Sequence, residues 1–223
     1  MPPTQTAPRP RIGVQSRATA RTEDPRLLFE VGRRALMRAD PRLAEVIRRV
    51  GRERPDFTRR DPFAAMVRTL VSQQLSTRAA DTIHTRVLRL VPTLSAEHLL
   101  TINPVDLRTA GLSGQKVNYL RDLADRVADG RLVLASLHQK SDDEVIEAIV
   151  AVKGFGRWSA QMFLMFCLRR PDVLPTGDLG IVKGMQGILG MKRRPSERTM
   201  ERAAKAWQPY RSIACWYVWR SLE

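Results

Sequence analysis

Three stretches of the chain carry residue types able to do chemistry. From Ile146 to Ala160 an amphipathic helix runs into Gly154-Phe155-Gly156, and a second helix starts at once. Two glycines one residue apart permit a tight turn with positive φ and leave the backbone uncovered. Amides exposed at the start of the second helix, aided by its dipole, hold a phosphate without reading any base. An ordinary interhelical turn shows the same Gly-x-Gly pattern. The second stretch is Leu174-Pro-Thr-Gly-Asp178, which sets one carboxylate between a glycine and a helix. An Asp there is an ordinary N-cap. The third is aromatic: Trp158 directly follows the hairpin, and Trp216, Tyr217 and Trp219 cluster near the C-terminus of a chain with only 6% aromatic residues. Indole faces attract cations, although a Trp taken singly is more often core or interlobe packing.

The partner for such a surface is set by charge. Among 223 residues, 38 Lys and Arg oppose 23 Asp and Glu, a formal net charge of +15 that points to a polyanion. With 43% hydrophobic residues the chain has material for a real core, which excludes a disordered basic tail protein. Two cysteines, Cys167 and Cys215, are too few for a disulfide framework, a four-thiolate zinc site or a Cys-ligated iron–sulfur cluster. The longest apolar run, Met162 to Leu168, is far short of the roughly 20 residues that cross a bilayer, so no membrane partner is expected. Residues 1–22 hold Arg9, Arg11, Arg17 and Arg21 and no acid. They read as a disordered basic arm that touches phosphates or as a solvated tail, without a secretory core, so a cytoplasmic, nucleoid-associated location is expected.

The elements that must position these residues are helices. Asp24-Pro25, Asp40-Pro41, Asp61-Pro62 and Asn103-Pro104 each precede apolar residues at helical spacing, since the side-chain oxygen caps free amides and proline at the first helical position lacks a donor anyway. Ser76, Ser95, Ser113, Ser141 and Ser196 are further starts, Ser141 with Glu144 as a capping box. Gly51, Gly111 and Gly130 fall where helices should stop. Arg131 to Leu137 alternates weakly enough for one short strand, which would have no partner. The chain is predicted to be all-α, about ten short helices, with residues 23–223 as one helical domain.

Val152-Lys-Gly-Phe-Gly-Arg-Trp-Ser-Ala160, followed by Leu174-Pro-Thr-Gly-Asp178, resembles the helix-hairpin-helix superfamily of DNA base-excision glycosylases, and in particular its 3-methyladenine DNA glycosylase II branch. Leu70-Val-Ser-Gln-Gln-Leu-Ser-Thr-Arg-Ala-Ala80 is similar to that branch's N-terminal signature, and Trp207-Gln-Pro-Tyr-Arg-Ser-Ile-Ala-Cys-Trp-Tyr-Val-Trp219 to its C-terminal helix. The resemblance spans roughly residues 60–220. It implies a two-lobed helical bundle with a cleft between the lobes, acting on double-stranded DNA that contains damaged bases, with no membrane partner and the monomer as the default.

The resemblance assigns roles residue by residue. Asp178 is the catalytic carboxylate, and Trp158, Trp219 and Met162 form the base pocket. Gln73, Gln74 and Leu75 are candidates for the wedge that fills the stack when a nucleotide is flipped out. Lys153, Gly154, Phe155, Gly156, Arg157 and Gly114 meet the DNA backbone, with Arg78 and Lys116 as neighbouring cations. No cofactor or catalytic metal is required, and a monovalent cation is expected on the carbonyls of Val150, Val152 and Phe155. Trp158 stands where bifunctional members carry a Schiff-base lysine, so a monofunctional hydrolase that leaves an abasic site is expected. Two features depart from the pattern. The additional β-rich domain of the better-known bacterial form is not expected here, and Met162 occupies a position that is often aromatic, which leaves a roomier pocket. A glycosylase for other damaged bases and a non-enzymatic DNA-binding module are the alternatives.

Overall fold

The structure, a computed structural model, describes residues 24–223 apart from Arg59 and Pro92; the basic arm read over residues 1–22 lies outside the described residues. Among the described residues twelve α-helices follow one another: α1 (Pro25–Ala39), α2 (Pro41–Val50), α3 (Pro62–Ser72), α4 (Thr77–Leu90), α5 (Ala96–Thr101), α6 (Pro104–Thr109), α7 (Gly114–Ala128), α8 (Asp142–Val150), α9 (Arg157–Phe166), α10 (Leu179–Ile188), α11 (Glu197–Ala203) and α12 (Arg211–Arg220). Two 3-10 turns, Leu134–Gln139 and Ala204–Trp207, complete the set, and the described residues contain no strand.

Local chemistry places most of these boundaries. Asp24, Asp40, Asp61 and Asn103 each accept a hydrogen bond from an amide of the helix they precede, with proline in its first turn. Ser76, Ser95, Ser113 and Ser196 do the same, and Ser141 with Glu144 forms both halves of a capping box. Each cap is worth about 1 kcal/mol. The short strand suggested by Arg131 to Leu137 does not form. A lone strand leaves its amides without a ladder, and the segment instead winds into the Leu134–Gln139 turn with Leu132 and Leu137 buried beneath it.

The main helix packings fall into two groups. Helices α3 to α9 pack among themselves through α3·α4, α3·α7, α5·α7, α8·α9 and α3·α9, while α1, α2, α10, α11 and α12 form the other group through α1·α2, α2·α12 and α10·α12. The chain thus enters one lobe, builds the second from its middle, and returns to the first. One continuous apolar cluster runs through both, with Trp207 and Tyr217 its largest fully enclosed side chains.

Asp40 shows how a cap becomes a tertiary contact. It is 3% exposed, accepts from the amides of Arg42 and Leu43 at the head of α2, and takes the Trp207 indole N–H at 3.0 Å. Burial alone raises its pKa, but the Arg42 and Trp207 hydrogen bonds outweigh that and hold the carboxyl below its ordinary value.

Candidate active site

Asp178 opens α10 and is a cap, as its sequence position allows: Oδ1 accepts from the Ile181 amide at 2.8 Å. The carboxylate is not confined to that duty. Trp219 of α12 donates its indole N–H to Oδ1 at 2.8 Å, and Trp158 of α9 donates to Oδ2 at 2.8 Å. One indole comes from each helix group, so the half-buried carboxylate sits at the seam between the lobes. A carboxylate offers about four acceptor positions. Three donors occupy Asp178, two of them on Oδ1, so the spare capacity lies chiefly on Oδ2.

Gly180 makes room for this arrangement. A Cβ there would stand 2.8 Å from Trp219 Cδ1, 3.0 Å from its Nε1 and 3.1 Å from Asp178 Oδ1. The sequence reading missed this residue, and only a glycine inside the first turn of a helix hinted at it.

The aromatic surface is larger than expected. Trp158, Met162 and Phe166 recur every four residues along α9 and share one face, with Trp158 47% and Phe166 43% exposed. Met162 and Phe166 border a cleft of about 450 Å³ whose other wall is Ala65, Arg68 and Thr69 of α3. Phe166 also stacks on Trp219 with centroids 5.9 Å apart, an aromatic partner that the sequence did not identify. Behind that pair lies a smaller apolar cavity of about 90 Å³ bounded by Phe29, Phe57, Met165 and Trp216. Asp178 lines neither space; Trp219 borders the smaller one, and Met162, one turn beyond Trp158, borders the larger. Trp216 is a packing residue, edge-on to Phe29 and Tyr217 at 5.5 and 4.8 Å.

The hairpin between α8 and α9 has only one positive-φ glycine. Gly154 takes φ +86°, and a Cβ there would come within 2.3 Å of the Tyr119 ring. Gly156 is extended at φ −114° and heads α9 with no side-chain cap. The other α-helices among the described residues are capped by their own N-cap side chain, except α12, whose Arg211 amide is met by Asp172 at 3.2 Å. The first amides of α9 are therefore left for an outside acceptor. Phe155 is 7% exposed and anchors the turn in the core, so it offers backbone only, whereas Lys153 and Arg157 are exposed beside it.

For a cation at this turn the structure leaves suitable acceptors. The Val152 carbonyl already takes the Phe155 amide at 3.1 Å, while no protein donor among the described residues reaches the carbonyls of Val150 or Phe155. Neutral oxygens of this kind fit a monovalent ion.

The three wedge candidates separate. Gln73 ends α3 half-buried and donates its carboxamide N–H to the Gly154 carbonyl at 2.8 Å, which commits it to the hairpin rather than to an open tip. Gln74, at φ +57°, and Leu75, 38% exposed, project from the α3–α4 connection. Lys116 also departs from its reading as a DNA-facing cation: its ammonium points inward and donates to the Val71 and Gln73 carbonyls at 2.7 Å each. Gly114 heads α7 after the Ser113 cap, and Arg78 lies exposed on α4.

A helical protein of two lobes, with a glycine hairpin that ends in an uncapped helix and a carboxylate held at the interlobe seam by two indoles, defines the class. The chain belongs to the HhH-GPD superfamily of base excision DNA repair proteins, whose family model matches residues 67–209. It is 28% identical over 190 residues to DNA-3-methyladenine glycosylase 1 of Schizosaccharomyces pombe, covering 82% of each chain. Among solved structures it is similar to a DNA-3-methyladenine glycosidase from Bacillus halodurans, with 35% identity, a TM-score of 0.78 and 90% of each chain covered. It is also similar to the Schizosaccharomyces pombe 3-methyladenine DNA glycosylase Mag1 in complex with abasic DNA, with 27% identity and a TM-score of 0.75 over 86% of this chain and 96% of that one.

Proposed function

We propose that this chain is a monofunctional DNA glycosylase that hydrolyses the N-glycosidic bond of alkylated purines, 3-methyladenine and 7-methylguanine among them, and leaves an abasic site. The observation that carries the reading is the Asp178 carboxylate, held at the seam by Trp158 from one side and Trp219 from the other.

An N3- or N7-alkylated purine is cationic, so it departs with the bonding electron pair as a neutral base and needs no acid. Charge then builds on the deoxyribose, and a fixed carboxylate stabilises that oxocarbenium character. Water adds its oxygen to C1′ and loses a proton to solvent. The three donors hold Asp178 in one orientation, so little reorganisation is needed as the charge develops. The exposed faces of Trp158 and Phe166, with Met162 between them, offer a cation-attracting surface to a base swung out of the helix. The open amides of α9 with Lys153 and Arg157 grip the backbone, and Gln74 or Leu75 fills the vacated stack. A monovalent cation on the Val150, Val152 and Phe155 carbonyls would add positive charge next to a phosphate. The position of Trp158 supports the absence of a lyase step, because an indole cannot form a Schiff base. Asp178, Trp158 and Trp219 all belong to one chain, so the chemistry we propose needs no second copy.

Incubating the protein with methylated duplex and separating the products tests the reading. Free 3-methyladenine with intact strands is expected before any alkali treatment. If no base is freed from methylated DNA, the assignment fails; if strands are nicked, the monofunctional part fails.

A further inference from the structure

The inward-facing Lys116 touches neither Asp178 nor the aromatic face of α9 and spends its ammonium on backbone carbonyls. Its ammonium is half-buried, and burial holds its pKa below that of an ordinary lysine. None of the ion pairs among the described residues includes it. Two of its three donors end on the Val71 and Gln73 carbonyls, which lie 45 and 43 residues earlier in the chain. The last carbonyls of a helix lack partners of their own, and a cation there is favourable. Helix α3 has no glycine just past its end, so a lysine from another helix completes it.

That contact is one of a set. Lys116, Tyr119 and Asp122 are spaced by three along α7 and share a ridge. Tyr119 lies against Gly154, so closely that a Cβ on the glycine would be 2.3 Å from its ring. Asp122 accepts the Lys153 amide at 2.9 Å. Gln73 closes the ring by donating to the Gly154 carbonyl at 2.8 Å, across 81 residues of sequence. One helix face thus touches both the end of α3, from which Gln74 and Leu75 project, and the Lys153-Gly154 entry to the hairpin.

We propose that Lys116 and Gln73 are positioning residues that fix the reach of the Gln74–Leu75 tip relative to the Gly154–Gly156 hairpin, so that the phosphate grip and the filling of the vacated stack occur together. This rests on the glycosylase reading. The clasp touches neither the base nor the sugar. It acts by removing a hinge: with the hairpin on the backbone, a tip held at constant distance enters the stack without a separate search.

The test uses the full chain with Lys116→Met, which keeps the aliphatic stem and removes the donors, and Gln73→Asn, which withdraws the carboxamide by one methylene. Binding to undamaged duplex is measured over a range of salt. Single-turnover release of 3-methyladenine is measured at saturating protein, and 2-aminopurine beside the lesion reports unstacking. Both variants are expected to bind undamaged duplex within about twofold of the unaltered chain and with the same salt slope, because the Lys116 ammonium meets carbonyls and not phosphates. Release is expected to fall about tenfold, the size of one lost charge-assisted hydrogen bond, with a parallel fall in 2-aminopurine emission. The double variant should be no slower than the slower single variant, since both cut one clasp.

Unchanged release in the variants overturns the proposal. So does a salt slope for Lys116→Met lowered by about 0.9, which would make Lys116 a phosphate contact. Weaker duplex binding in step with slower release also overturns it, as general damage to the hairpin. If Lys116→Met does not fold, Gln73→Asn carries the same comparison. If the unaltered chain frees no base, the glycosylase reading falls and the proposal with it; if it does and the variants match it, the clasp alone falls.

Discussion

Replacing Gly180 with alanine separates the geometry of the seam from the stability of the fold. Gly180 does not need a left-handed backbone, so the added methyl strains nothing locally, and alanine in a helix is favoured over glycine by up to about 1 kcal/mol. The cost is tertiary. The new Cβ would lie 2.8 Å from Trp219 Cδ1 and 3.0 Å from Nε1. Restoring ordinary carbon contact requires the indole to retreat by about 0.7 Å. That takes its N–H from 2.8 Å to the limit of a hydrogen bond with Asp178 Oδ1. A hydrogen bond to a charged group contributes about 1.5–3 kcal/mol, and about 1.4 kcal/mol is tenfold in rate. Gly180→Ala is therefore expected to release 3-methyladenine about 10- to 100-fold more slowly in single turnover, with a melting temperature close to that of the unaltered protein. Gly187→Ala on the same helix is the control. Nothing lies within 4 Å of a Cβ at Gly187, so unchanged release and a slight gain in stability are expected. Full activity in Gly180→Ala, or an equal loss in Gly187→Ala, would refute the reasoning.

Gly154→Ala should both strain the left-handed turn and drive a methyl into Tyr119; a loss of about 2–4 kcal/mol in chemical denaturation, with weakened duplex binding, is the expected result. Against the upward push of burial, the Arg42 and Trp207 hydrogen bonds hold the folded-state pKa of Asp40 below the ordinary value of 3.8, so its contribution is fully present above that pH and is lost as pH falls through the lower folded value. Acid titration of stability should show this loss, and Asp40→Asn should blunt it. Asp40→Ala should cost about 3 kcal/mol at neutral pH, since it removes the α2 cap and strands the Trp207 indole in the core.

What the sequence made legible divides by range. Asp24, Asp40, Asp61 and Asn103 were readable as helix starts because cap and amide lie within three residues. Asp178 was readable as a cap for the same reason. That two indoles also hold it was not readable from local sequence, because they come from 20 and 41 residues away. The hairpin glycines were legible as a pair, but their division of labour was not: Gly154 is fixed by Tyr119 from α7, and Gly156 by the absence of a cap. Lys116 reads on paper as another surface cation in a basic chain, and nothing local reveals the α3 carbonyls it turns toward. Arg131 to Leu137 misled because weak alternation is also what a 3-10 turn over Leu132 and Leu137 shows. Phe166 escaped notice inside an apolar run, where periodicity marks a buried face but cannot say that one ring stays 43% exposed against Trp219.

The proposed chemistry stands or falls on whether the Asp178 carboxylate stabilises charge on the sugar. Asparagine caps a helix as well as aspartate does, so Asp178→Asn keeps the start of α10 while removing the charge. Single-turnover release of 3-methyladenine from methylated duplex, measured beside binding to the same duplex, tests this most directly. A fall of about a hundredfold or more in release, with binding preserved, is predicted; release at the rate of the unaltered chain would contradict it.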